Sequence, residues 1–252
     1  MPLFLNIMKL KIILPFVLIF ISSINFAQTK EIKIQYKVYP TFGSLENQEE
    51  IKNSKMSYLY EGLDKAISEL RYELYIRGKN SCFMMLENAG ITPKSISIAK
   101  TFAGKNDYLV DKESNTFIKK TLFFNELFFV HFAQDSNWTL INETKTVGDY
   151  RCYKATLKRS IVLDGKLKDY QVIAWFSPEL PYEFGPKEFG GLPGLILELQ
   201  DDKVTFMASK IEFGVDLFKS FKIERQSISE DDFNAIVNKR EEEFLNEINT
   251  RK

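Results

Sequence analysis

The segment GPKEFGGLPGLI, residues 185–196, has the most unusual local composition in the chain, with four of its 12 glycines and two of its eight prolines. Glycine reaches positive φ without a steric clash. Proline fixes its own φ and biases the preceding residue toward extended geometry. The segment therefore predicts a rigid turn at residues 185–194, called here the elbow, that leads directly into a strand at residues 195–199.

Two phosphate-binding interpretations of the elbow fail on chemical grounds. Gly185 and Gly190 have the spacing of a P-loop, but Gly191 and Leu192 stand where lysine and serine or threonine are required. A dinucleotide site needs a helix N-terminus after the glycines to hold the anion. Because a strand follows instead, we expect no nucleotide here and predict no cofactor for the chain.

Most of the chain shows the two-residue periodicity of β-strands. Ile32, Ile34, Tyr36 and Val38 alternate with polar residues, which is typical of a half-buried strand. Strands this short and closely spaced indicate an antiparallel meander rather than βαβ units. The predicted fold class is mainly β (α+β), built on a curved antiparallel sheet. Further strands are expected at residues 72–76, 82–86, 108–110, 116–124, 127–133, 138–141, 153–162, 170–176 and 204–211.

Two segments change to the period of an α-helix. Apolar residues recur every three or four positions between Asn53 and Leu70, which predicts an amphipathic helix at residues 53–70 packed on the sheet. Ser229 precedes three carboxylates, a pattern typical of an N-cap followed by an acidic first turn. A C-terminal helix is therefore predicted at residues 229–248.

Composition and charge restrict the possible functions. Hydrophobic residues make up 44% of the chain and charged residues 27%, which is typical of a globular protein. Thirty-four basic and 34 acidic residues leave no net charge to attract nucleic acid. One histidine and two cysteines exclude most zinc sites, bis-histidine haem and four-cysteine clusters. We predict no metal site and no nucleic-acid partner.

The first 27 residues have the pattern of a secretory signal peptide. A basic start at Lys9 and Lys11 precedes a largely apolar run over residues 12–21, and Ala27 is a small residue before a polar one. The run is shorter than the roughly 20 apolar residues that span a bilayer. Cleavage near Ala27 would leave one β-rich domain, residues 28–252, with no transmembrane segment. The predicted location is the periplasm or cell envelope, and translation could start at Met1 or Met8.

Four blocks of sequence, in order, resemble the GLPGLI family of exported Bacteroidetes proteins. The sextet at residues 191–196 is the motif that names the family, and the preceding blocks match at residues 149–156, at residues 174–178, and at residues 180–181 with 185–186. The resemblance implies an envelope protein of largely unassigned function, often found with outer-membrane receptor systems. It also implies a β-rich fold, similar to curved half-barrel lipoprotein carriers.

The two cysteines and the histidine each allow a structural and a functional interpretation. Cys82 and Cys152 could form a disulfide in an oxidising compartment, remain two buried thiols, or act as a metal or redox pair. His131 has no second histidine and no acid beside it in sequence, so we expect a structural histidine. Ser97 and Lys100 match the Ser-x-x-Lys spacing, but its companion motifs are missing from the sequence. We predict no catalytic residues.

Three functions remain open. The first is non-enzymatic binding of an apolar ligand or a partner protein in the envelope. The second is a structural accessory of an outer-membrane receptor, and the third is a hydrolase. Phenylalanines on both faces of residues 123–132 indicate a sheet covered on both sides or one lining an apolar concavity. The residues expected to matter most for binding or for the structural motif are Trp175, Pro186, Gly190, Gly191, Leu192, Pro193 and Gly194.

Overall fold

The computed structural model describes most of the chain from Glu31 onward. The predicted signal peptide and its cleavage site lie outside the described residues. The described residues from Glu31 onward belong to one compact unit. The described ranges are residues 31–41, 57–86, 94–134, 136–163, 166–214 and 216–250.

The described residues form eleven strands and three helices, which confirms the mainly β prediction. The helices are α1 (Ser57–Glu69), α2 (Lys94–Ala103) and α3 (Glu230–Thr250). The strands are β1 (Glu31–Pro40), β2 (Arg71–Arg77), β3 (Asn80–Met85), β4 (Asp107–Asp111), β5 (Thr116–Phe123), β6 (Glu126–His131), β7 (Thr139–Val147), β8 (Tyr150–Leu163), β9 (Lys166–Ser177), β10 (Leu195–Asp201) and β11 (Val204–Gly214).

All eleven strands form one antiparallel sheet in the order β6-β5-β4-β3-β2-β1-β11-β10-β9-β8-β7. Strands β1 to β6 make one meander and β7 to β11 make a second, so sequence neighbours within each are also neighbours in space. The two meanders join where β1 pairs with β11, in a register that sets Ile34 opposite Ile211. Strands β6 and β7, which follow each other in the chain, therefore lie at opposite edges of the sheet.

The short connection between β6 and β7 requires the sheet to curl. Eleven strands at about 4.8 Å spacing would give a flat sheet about 48 Å wide. The chain passes from His131 at the end of β6 to Thr139 at the start of β7 through residues 132–138, and eight peptide steps reach at most about 28 Å. The edges must therefore approach each other. The sheet curls in this way without closing into a barrel. The predicted curved antiparallel sheet is therefore confirmed.

The inner face of the curled sheet carries an aromatic core. The rings of Tyr72 and Phe83 stack at 5.2 Å, and Phe206 meets Tyr72 edge-on at the same distance. Tyr36 donates its hydroxyl hydrogen to the Ile196 carbonyl at 2.7 Å. That carbonyl lies at a bulge where β10 shifts register against β9. The buried Tyr36 hydroxyl thus has a backbone acceptor. Burial raises the pKa of both Tyr36 and Tyr72.

Helices α1 and α2 contribute to the same core. The predicted apolar side of α1 is buried in this core through Ala66 and Ile67. Leu70, the residue directly after the helix, is buried with them. Helix α2 was missed from sequence, where an uninterrupted meander was expected. Its buried face consists of Ile96 and two alanines, which carry too little apolar bulk for a clear periodic signal. The Ser-x-x-Lys match lies on this helix, with Ser97 exposed.

The outer face of the first meander is covered by an irregular segment, residues 217–228, called here the strap. Its Phe218 N–H donates to the Glu31 carboxylate at 2.9 Å, and the Arg77 guanidinium lies 4.8 Å from the Phe218 ring. Further along, the Phe221 ring lies 6.1 Å from that of Phe129. Both faces are therefore covered, which is the first of the two sheet arrangements expected from the phenylalanines.

Glu31 is expected to control how firmly the strap is held as pH changes. The Phe218 N–H and then the Arg77 guanidinium lower the pKa of Glu31 from its ordinary value of 4.5. A carboxylate with a lowered folded pKa stabilises the fold above its unfolded pKa, and this contribution is lost as pH falls through the folded pKa. We expect the urea midpoint to fall less between pH 6 and pH 3.5 in Glu31→Gln than in the wild type.

A buried thiol gives a second measurement of strap attachment. Burial raises the pKa of Cys82 to about 12, and its neighbours include Ser220 and Phe221 of the strap. In a Cys152→Ser background at pH 7.5, Glu31→Gln should make Cys82 react faster with a thiol reagent. Glu113→Gln, on the exposed turn between β4 and β5, is the matched control. Equal labelling of both variants would contradict the role of Glu31.

Candidate functional site

The elbow folds as a small hairpin between β9 and β10. Phe184 and Gly190 form an isolated antiparallel bridge. Within the hairpin, the Pro186 carbonyl accepts the N–H of Phe189 at 3.2 Å, which closes a four-residue turn over residues 186–189. Ile196 then donates its N–H to the Phe184 carbonyl at 3.0 Å. The elbow is thereby attached to the first residues of β10.

Three glycines of the elbow are needed for two different reasons. A Cβ at Gly194 would lie 2.2 Å from the Ser177 carbonyl oxygen, and a Cβ at Gly190 would lie 2.7 Å from that of Glu183. Both positions are therefore closed to any side chain. A Cβ at Gly191 would meet only the Ser136 side chain, at an ordinary contact distance of 3.7 Å, but the φ of 78° at this position lies in the left-handed region that favours glycine. The elbow depends on close approach at two positions and on conformation at the third.

Most of the predicted site residues are buried rather than displayed. Trp175 is half-buried on β9, with the Lys145 and Lys154 ammonium groups 4.4 Å and 5.8 Å from its ring. Lys145 is in turn paired with Glu198 at 2.6 Å. The elbow therefore offers little open surface. Pro186, Gly190, Leu192 and Gly194 are buried, while Gly191 and Pro193 are exposed.

Four charged residues that sequence reasoning missed fix the elbow against the sheet. Lys187 Nζ lies 2.6 Å from Asp201 Oδ2 on β10, and both side chains are 11% exposed. The Arg159 guanidinium of β8 lies 2.7 Å from Glu188 Oε1. Tyr170 donates its hydroxyl hydrogen to Asp201 Oδ1 at 3.3 Å. We call the four charged residues, Lys187, Asp201, Arg159 and Glu188, the ion cluster. Its only signal in sequence was the charged pair Lys187-Glu188 inside an apolar, glycine-rich turn.

The ion cluster is electrostatically balanced. Burial would lower the pKa of Arg159, but Glu188 more than offsets this and raises it. Burial, followed by the charge of Asp201, raises the pKa of Tyr170 to about 12. Each of the four charges faces an opposite charge, so the cluster is suited to hold the elbow in place rather than to transfer protons. Lys187 also has a φ of 55°, a strained conformation for a residue with a Cβ.

The structure places the two cysteines on well-separated strands. Cys82 lies on β3 and Cys152 on β8, with five strands between them in the sheet, and both are free, buried thiols. Because both thiols are free, the disulfide considered from sequence is not formed in this structure. Burial raises the pKa of Cys152 to about 11, which keeps it protonated. Among the described residues, no group of acids, cysteines and histidine could hold a metal ion.

His131 fastens the strap at the edge of the sheet. Its Nε2 lies 2.7 Å from the Ser227 hydroxyl, and its backbone N–H donates to the Ile228 carbonyl at 2.8 Å. Ile228 in turn donates to the Phe129 carbonyl at 2.9 Å. A serine beside a histidine is one part of a hydrolase site, but within the described residues no carboxylate hydrogen-bonds this ring. The structural role expected for His131 from sequence stays a prediction.

Helix α3 packs on the β5–β6 hairpin through its first half. The Phe233 ring lies 5.3 Å from Phe128 and 6.0 Å from Phe123. Arg240 is hydrogen-bonded to Glu126 at the start of β6. Because the helix rises about 1.5 Å per residue, the ten residues after Arg240 add about 15 Å beyond this contact. The second half of α3 thus reaches the hairpin turn and continues beyond it.

An exposed apolar surface forms where the hairpin turn meets this second half of α3. The Phe124 ring lies 6.1 Å from the Phe244 ring, and the two side chains are 53% and 51% exposed. Leu245 and Ile248 are 58% and 40% exposed, and Ile248 is a neighbour of both Phe244 and Leu245 on the helix surface, since it lies four and three residues after them. These four residues are called the hairpin–helix patch. The sequence analysis did not predict this patch, because it placed Phe124 in the strand at residues 116–124 and Phe244 in the helix at residues 229–248 without bringing the two together.

Phe124 occupies an unfavourable backbone conformation in this patch. Phe124 and Asn125 form the two-residue turn of the β5–β6 hairpin, with φ values of 47° and 62°. Such turns favour asparagine and glycine at both positions. A bulky aromatic residue with positive φ is rare, and strain of this kind concentrates at functional sites. Phenylalanine makes this turn less stable than asparagine or glycine would, and its ring is about half exposed to solvent.

The fold and the patch define a mainly β protein in which one curled sheet carries a C-terminal helix with an exposed apolar end. A sequence family described as a protein of unknown function (Porph_ging), a Bacteroidetes-associated domain, matches residues 164–198, which include β9, the elbow and the start of β10. No curated protein matches the chain.

One similar solved structure is that of PNGF-II in space group C2. It has 11% identical residues and a TM-score of 0.46, over 80% of this chain and 31% of the PNGF-II chain. The chain thus spans about a third of that protein. Among the helices of the described residues, none has the length and apolarity needed to cross a bilayer.

Proposed function

We propose that the chain is a non-enzymatic, exported cell-envelope protein that binds a partner protein through the hairpin–helix patch. The observation that carries the proposal is the exposed contact between Phe124 and Phe244. Exposed, contiguous apolar side chains on a protein surface mark interaction sites. Aromatic residues supply much of the binding energy at such sites, because they bury large areas at low entropic cost.

The structure favours a protein partner over an apolar ligand held inside the sheet. The inner face of the sheet is filled by its own aromatic core and by Phe184, Phe189 and Leu192 of the elbow region, each at most 4% exposed. Among the exposed large apolar side chains of the described residues, Phe124 and Phe244 are in ring contact with each other, at the hairpin turn and α3. An accessory role beside an outer-membrane receptor would use this same patch.

The sharpest test uses a change that suits the turn but removes the aromatic ring. Phe124→Asn places a residue that tolerates positive φ in a turn that favours it. We expect unchanged or raised thermal stability together with at least a tenfold loss of a partner captured from detergent-solubilised envelope extract. Binding and folding are separated, since the variant does not weaken the fold.

A matched control removes an exposed apolar residue from another part of the sheet. Leu140 on β7 is 62% exposed, so Leu140→Ser should leave capture of the same partner unchanged. A protein retained equally by wild type, Phe124→Asn and Leu140→Ser would contradict the proposal. So would a lipid that copurifies in equimolar amount with the purified wild-type chain, because it would indicate the apolar-ligand function instead.

A further inference from the structure

We infer that the hairpin–helix patch recognises a cationic amphipathic segment, in which apolar side chains are flanked by lysine or arginine. This inference rests on the proposed function and adds the chemistry of its partner. It begins from the charges of α3, which carries seven acidic residues and two basic ones between Glu230 and Thr250. The last two residues of the chain, Arg251 and Lys252, lower this excess from five acids to three.

Two of these acids lie beside the patch by helical geometry. Residues three or four apart are neighbours on a helix surface. Glu241 therefore adjoins Phe244 and Leu245, and Glu247 adjoins Phe244 from the other side. Both glutamates are exposed. The apolar side chains are thus framed by negative charge, which attracts a basic partner and discriminates against an acidic one.

The same charges argue against two other occupants of the patch. A second copy of this chain would bring two acidic α3 helices together, and like charges across an interface are unfavourable. An anionic lipid surface would be repelled in the same way. Lys239 and Arg240 do not reverse this, since Arg240 is hydrogen-bonded to Glu126 and Lys239 lies 4.0 Å from Glu243.

The test uses two synthetic helical peptides with the same leucine face, one flanked by lysines and one by glutamates. We expect the mature chain to bind the lysine peptide at least tenfold more tightly. The affinity should fall by about tenfold between 50 and 300 mM salt, because screening weakens exposed charge pairs. Glu241→Lys with Glu247→Lys should reverse the preference, while Glu113→Lys with Asp149→Lys, on distant exposed turns, should not.

The outcomes separate this inference from the proposed function. Equal binding of both peptides, lost in Phe124→Asn, would overturn the cationic specificity and leave the docking function intact. Peptide binding that is unaffected by Phe124→Asn would overturn both. Concentration-dependent dimerisation abolished by Phe124→Asn would assign the patch to a second copy and overturn the inference.

Discussion

Replacing Gly194 with alanine is expected to destabilise the protein by about 3 kcal/mol, the size typical of severe overpacking next to rigid backbone. The added Cβ would lie 2.2 Å from the Ser177 carbonyl oxygen and 2.8 Å from the Pro178 nitrogen. Neither atom belongs to a side chain that can rotate away. The elbow would have to separate from the end of β9, and the loss should be measured as a lower free energy of unfolding in urea.

Two other glycines supply matched controls for this substitution. Gly62 lies inside α1, and a Cβ added there would meet no atom within 4 Å, so Gly62→Ala should stabilise by about 0.5–1 kcal/mol through helix propensity. Gly191→Ala meets no clash and carries only the left-handed penalty, about 1 kcal/mol. Equal effects at Gly191 and Gly194 would show that close backbone approach is not the reason for the glycine.

Breaking the Lys187–Asp201 pair is expected to have the second large effect. Lys187→Met leaves the largely buried Asp201 carboxylate without its ammonium partner, and we expect a loss of about 2–3 kcal/mol, below the roughly 3–5 kcal/mol typical of a fully buried pair. The elbow is held to β10 by this pair, so the change should also increase amide exchange across residues 185–194. Chemical denaturation and hydrogen exchange measure the two effects separately.

A surface ion pair of the same length provides the control. Lys158 and Asp169 are also 2.6 Å apart, but their side chains are 75% and 46% exposed. Lys158→Met should therefore change stability by less than about 1 kcal/mol. In a double-mutant cycle, Lys187→Met and Asp201→Asn should couple by about 2 kcal/mol. Additive effects would mean that the buried pair contributes no interaction energy of its own.

The sequence located the elbow but not its role. Its glycines and prolines predicted a rigid turn before a strand, and the turn is present at those residues. The prediction that this turn forms a recognition surface stays untested, and the burial of Pro186 and Gly194 leaves little of it exposed. Local composition reveals a required backbone shape, whereas exposure depends on what packs against that shape.

The ion cluster and the patch could not be predicted for a related reason. Arg159 and Glu188 are 29 positions apart, and Phe124 and Phe244 are 120 apart. Each pair meets only because the sheet curls and α3 returns to the β5–β6 hairpin. No periodicity within a short window contains that information.

By itself the sequence determined the periodicity of the strands and the two amphipathic helices, because these follow from the alternation of side chains along a single element. The tertiary structure alone decided that β1 pairs with β11, that β6 and β7 become opposite edges, and that Phe124 meets Phe244 in solvent. Those contacts form between residues that are far apart in the sequence. Their free energy depends on how the whole sheet pairs and curls, so no single local segment determines it.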